Sequence, residues 1–71
     1  MKATMTSVTK IKAGDRVRLF PASPRFVPIY AVGTENHFFF GEMVKLTFQA
    51  ADGSKEELCY QKTATFMVEE D

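Results

Sequence analysis

Residues 43–54 read Met43-Val44-Lys45-Leu46-Thr47-Phe48-Gln49-Ala50-Ala51-Asp52-Gly53-Ser54. Val44, Leu46 and Phe48 recur at every second position, with Met43, Lys45, Thr47 and Gln49 between them. That is the period of a half-buried strand, whose successive side chains point to opposite faces. Asp52-Gly53 then supplies the strongest short-range signal of a β-hairpin. Residues 55–61 return as the partner strand, with Leu58 and Tyr60 alternating against Glu57, Cys59 and Gln61.

Toward the N-terminus, Ala13-Gly14-Asp15 reads as a turn, and residues 16–20 alternate charged with apolar side chains, so that Val17 and Leu19 face a core. Pro21, Pro24 and Pro28 each lack an amide donor, which makes residues 21–25 an irregular loop and Pro28 an edge position. Residues 26–32 form a second extended piece in which Val27, Ile29 and Ala31 oppose Phe26, Tyr30 and Val32. Gly33 breaks it, and Thr34-Glu35-Asn36 is expected to turn. Residues 37–40 and 42–49 are then two strands, or one strand bent at Gly41. After the hairpin, Lys62-Thr63-Ala64 is expected to make one helical turn before a last strand over residues 65–68 and an acidic Glu69-Glu70-Asp71 tail.

Residues 1–10 lack apolar periodicity and read as a flexible arm, leaving residues 11–71 as a single domain. About five strands, a long loop after the first and a short turn before the last predict an all-β fold. The expected architecture is a small, partly open SH3-like barrel with one short helical turn before its last strand.

A chain of 71 residues buries roughly 60% of its extended surface on folding, which leaves little stability to spare. Cys59 is the single cysteine and His37 the single histidine, so neither an intrachain disulfide nor a Cys/His zinc site can be built within one subunit. Self-association remains as reinforcement, and a homo-oligomer is expected. Nine basic residues balance nine acidic ones, but residues 1–35 carry six basic against two acidic and residues 36–71 three against seven, giving +4 and −4. A neutral total is not the mark of a nucleic-acid-binding domain. No run approaches a membrane span and no apolar signal segment opens the chain, so a cytoplasmic protein is expected.

Gly14-Asp15-Arg16-Val17-Arg18-Leu19, the Ser23-Pro24 loop and the Asp52-Gly53 hairpin followed by Lys62-Thr63-Ala64-Thr65-Phe66 resemble the YodC-like family of small bacterial and phage proteins. The outline covers residues 12–68. The resemblance implies an SH3-like barrel and no particular activity, and residues 37–42 stand in it as an insertion. Gly14-Asp15-Arg16-Val17-Arg18 is also similar to the first strand of type II dihydrofolate reductases, which build one active site at the centre of a tetramer. Their Val-Gln-Ile-Tyr signature is replaced here by Glu57-Leu58-Cys59-Tyr60, without the ligand-contacting glutamine.

No catalytic constellation is recognisable. His37 has no evident partner to orient it as a base, Cys59 sits in mid-strand without a base or helix terminus, and Glu56 and Glu57 point apart. No cofactor or metal is implied. The four glycines stand far apart and form no phosphate-binding loop. Arg16, Arg18 and Arg25 near Tyr30 could hold single-stranded nucleic acid by charge and stacking, or could be the ordinary charged face of the first strand. Phe38-Phe39-Phe40 has three readings: core, an interface with another copy, or a groove for a peptide. The chain is therefore read as a non-enzymatic binding or adaptor module that self-associates through Phe38, Phe39 and Phe40. The alternatives are a nucleic-acid-binding barrel and, third, an enzyme with a site shared between subunits.

Overall fold

The computed structural model describes residues 2–20 and 22–70, so readings that fall on Met1, Pro21 and Asp71 lie outside the described residues. The strands are β1 (Lys2–Ser7), β2 (Arg16–Arg18), β3 (Val27–His37), β4 (Gly41–Gln49), β5 (Lys55–Gln61) and β6 (Thr65–Glu70). All pairings are antiparallel, in the spatial order β1-β6-β2-β3-β4-β5. The sheet is not closed, and β1 and β5 are its edges.

The strand that sequence alternation marks most clearly lies at the centre of the core. Val44, Leu46 and Phe48 of β4 are buried together with Val17 of β2, Leu19, Val27 and Ile29 of β3, and Val68 of β6. Tyr60, Ala64 and Phe66 pack against this cluster. Burial of each large apolar side chain contributes about 1.5–3 kcal/mol. The Asp52-Gly53 hairpin forms as expected: Gly53 takes a φ of +90°, and the Asp52 carboxylate accepts from the Ser54 amide at 2.9 Å.

β3 serves both halves of the sheet. Val27 and Pro28 pair with Val17 and Arg16 of β2, whereas Ile29 and residues 31–37 pair with β4. Between Ile29, opposite Phe48, and Ala31, opposite Thr47, the register slips by one residue at Tyr30. A bulge of this kind bends its strand and moves the following side chains to the other face. The expected grouping of Ala31 with Val27 and Ile29 is thereby corrected, because past the bulge Val32 and Thr34 lie opposite the core residues Leu46 and Val44.

Three further expectations are corrected. The segment read as a flexible arm over residues 1–10 contains β1, paired along its length with β6, and a 3-10 turn at Val8–Lys10. Val8 is fully buried, and its amide donates to the Ala64 carbonyl at 2.9 Å. β1 escaped notice because it is an edge strand with mostly exposed side chains, so no apolar alternation is required of it. Its inclusion makes six strands rather than five. The helical turn expected at Lys62-Thr63-Ala64 is a β-turn closed by Ala64 N–H to Gln61 C=O at 3.0 Å. Gly33-Thr34-Glu35-Asn36 does not turn but continues β3, and the chain reverses at Phe38-Phe39-Phe40 instead.

Residues 30–42 are all exposed, so this end of the β3–β4 hairpin projects beyond the core as an arm. The molecule measures 38 × 26 × 22 Å as a result. A chain without residues 1–10 is expected to lose cooperative unfolding in urea followed by far-UV circular dichroism, since β6 loses its neighbour and the core loses Val8. Val8→Ala should cost about 2 kcal/mol. An unchanged midpoint in both would mean that the N-terminal strand is dispensable.

Candidate functional site

In the arm Val32, Gly33, Thr34, Glu35, Asn36 and His37 face Leu46, Lys45, Val44, Met43, Glu42 and Gly41; β5 still pairs with β4 as far as Met43, so only the last two pairs, Asn36–Glu42 and His37–Gly41, form a two-stranded ribbon. Three residues, Phe38-Phe39-Phe40, connect its strands. Such a connection needs a left-handed residue where the second strand resumes, and Gly41 meets this with a φ of +72°. On the other side the Phe39 amide donates to His37 Nδ1 at 3.1 Å. These two residues hold the turn without help from the core.

The strand alternation expected for the phenylalanines does not apply, because all three sit in the turn. Phe38, Phe39 and Phe40 are 92%, 81% and 57% exposed, which corrects the core reading. Phe38 and Phe39 meet edge to face with centroids 4.9 Å apart, and the Phe40 ring lies 4.8 Å from His37. At 150–250 Å² for a fully buried aromatic, the tip displays roughly 500 Å² of apolar surface, as much as the largest patch on many monomers.

Both carboxylates of the arm are engaged. Glu42 pairs with Lys62. The Cys59 thiol donates to Glu35 Oε2 at 2.8 Å, and that carboxylate, with partial desolvation, raises the thiol pKa above its usual 9.0. A carboxylate neighbour favours the protonated thiol, the reverse of what a nucleophile requires. Glu57 lies 3.9 Å from Lys45, away from Glu56. Among the described residues no group of three His, Cys, Asp or Glu side chains is placed to hold a metal ion.

The residues considered for nucleic acid do not converge. Arg16 pairs with Glu69 at 3.2 Å and donates to the Phe26 carbonyl, while Arg18 Nε donates to the Ser23 carbonyl at 2.7 Å. Tyr30 is the bulge residue, with Lys55 Nζ 5.0 Å from its ring centroid. Arg25 belongs to a different feature, an aromatic cleft of about 260 Å³ at the far end of β4. Phe20, Val27 and Phe48 line it with Ala51 and Glu56. Phe20 remains 45% exposed and meets Phe48 edge to face at 5.8 Å. Sequence reading missed this cleft because its walls come from three separated segments. The one local hint was Phe20, an aromatic residue placed next to a proline loop.

A second groove of about 340 Å³, lined by Val32, Thr34, Val44, Thr9 and Lys62, lies at the root of the arm. No helix among the described residues is long and apolar enough to cross a membrane.

Glu35→Ala is expected to speed alkylation of Cys59 by iodoacetamide at pH 8, because loss of the carboxylate lowers the thiol pKa and raises the thiolate fraction. The sign for stability follows from the same shift. A thiol raised by folding stabilises the fold below its unfolded value of 9.0 and loses that contribution as pH climbs through the raised value. An alkylation rate no faster than wild type would show that Glu35 does not hold the thiol. Comparison with family models, with characterised proteins and with solved structures found no match.

Proposed function

We propose that the protein is a small, non-enzymatic binding module whose phenylalanine-tipped arm associates with a second copy of the chain. One observation carries this reading: three contiguous phenylalanines stand exposed at the end of an arm whose two carboxylates, Glu35 and Glu42, are already engaged. An enzyme would instead call for polar groups converging in a cleft. A chain of this size also gains more from pairing than a large domain does, since its own core is small.

The reading includes an SH3-like barrel. The order β6-β2-β3-β4-β5 supports it, being a meander whose last strand returns beside its first, with β1 added at the edge. The bulge at Tyr30 supports it as well, by passing β3 from one half of the sheet to the other. The YodC-like resemblance points the same way, and one unpaired cysteine suits a reducing cytoplasm. A nucleic-acid contact is the weaker reading, because Arg16 and Arg18 already have partners.

Magnitudes indicate how far the tip alone can go. Burying roughly 500 Å² at about 25 cal/mol per Å² gives ~12 kcal/mol gross, within the roughly 4–15 kcal/mol that association costs. The tip is thus necessary, and the flanks of the arm must contribute the surplus.

Light scattering over a concentration series is expected to give the native chain a mass at least twice its 8.0 kDa and Phe39→Ser the monomer mass. Because Phe39 is exposed, its replacement should change the unfolding free energy by no more than about 0.5 kcal/mol, so dissociation cannot be blamed on misfolding. A native monomer at every concentration would overturn the self-association reading.

A further inference from the structure

We infer that the aromatic cleft at the far end of β4 receives the phenylalanine tip of a second copy, so that the contact joins two different surfaces. The inference rests on the self-association reading and names the receiving site.

Geometry excludes insertion within one chain. The tip adjoins Gly41, where β4 begins, whereas the cleft is built on Phe48, near where it ends. Seven strand residues at about 3.3 Å each separate them by roughly 23 Å. The ribbon also runs away from the cleft, so any tip that enters must come from another molecule.

Recesses of similar size and polarity open at the arm root and beside Met5, Phe66 and Met67, and this cleft is the one of them that presents an exposed phenylalanine ring, Phe20. A cavity of about 150 Å³ accepts a benzene ring, and the cleft offers about 260 Å³ between Phe20, Val27 and Phe48, with Ser23, Arg25, Gln49 and Glu56 also on its lining, so it takes one ring of the tip. Edge-to-face packing against Phe20 would extend the pair that Phe20 already makes with Phe48. The groove at the arm root is lined by Val32 and Val44 together with Thr9, Thr34, Glu42 and Lys62 and offers no aromatic ring. Arg25 and Glu56 line the cleft, and Arg25 has no ion pair among the described residues; because Glu35 and Glu42 of the arm are engaged by Cys59 and Lys62, the contact rests on apolar groups.

Area is consistent with this occupant. A stable interface takes about 800 Å² from each partner, of which the tip supplies roughly 500 Å², leaving a remainder that the exposed arm residues can cover. Because donor and receiver are distinct patches, two copies can exchange tips to close a two-fold dimer, or each can engage two neighbours in a larger ring or a filament.

The test is complementation between two crippled chains. Phe39→Ser removes the tip and leaves the cleft. Ala51→Glu places a charge in the cleft mouth from an exposed turn position and leaves the tip, and Phe20→Ser serves as an independent cleft variant. Each variant alone is expected to be a monomer where the native chain is assembled. An equimolar mixture of the tip variant with either cleft variant should form a heterodimer of twice the monomer mass and grow no further. If both cleft variants assemble as the native chain does, or if the mixture stays monomeric, the tip does not bind this cleft while the self-association reading stands. A native monomer would remove both.

Discussion

Tyr30, the residue in β3 that has no counterpart in β4, sets how the rest of the sheet is used. Before it, Val27 and Ile29 deliver their side chains to the core; after it, Val32 and Thr34 take the face shared with Leu46 and Val44 but stay exposed. Without the slip, Ala31, Gly33 and Glu35 would take the face that Leu46 and Val44 share, in place of Val32 and Thr34. The bulge also bends the one strand common to both halves, which lets β2 and β4 close over the same side chains. The short β2, three residues long, is sufficient because β3 carries the pairing onward.

A core of this kind has little to spare, which explains the part played by the N-terminal segment. Val8 and Ile11 are buried in the same core cluster as Val17, Leu46 and Val68, and the hydrogen bond from Val8 to Ala64 fixes that segment to the β5–β6 turn. The chain thus completes its core with residues whose local sequence advertises nothing. Ser7 caps the small turn by accepting from the Thr9 amide. Such a contribution is tertiary, visible only when β6 is in place.

What could be read from sequence follows the same division. β4 and the Asp52-Gly53 hairpin were legible because alternation and turn chemistry are local signals enforced by burial. The arm was misread because no core disciplines it: Gly33-Thr34-Glu35-Asn36 looks like a turn by composition, yet with both faces in solvent a strand tolerates those residues. From sequence the phenylalanines admit core, interface and groove readings, of which their exposure removes the first, and their position in a turn depends on Gly41 taking a left-handed conformation. The cleft was illegible for another reason. Phe20, Arg25, Phe48 and Ala51 become neighbours only through the sheet order, and no spacing along the chain announces that.

The tip is held by the glycine at one end and by the histidine nitrogen at the other, and none of its three side chains enters the core. Its composition is therefore nearly decoupled from folding free energy. Selection can exchange the three rings for other residues while the scaffold persists, so partner choice in descendants of this chain can diverge faster than architecture. By the same logic the tip is a natural graft point, where a foreign recognition loop of matching length inherits a ready-made rigid stem.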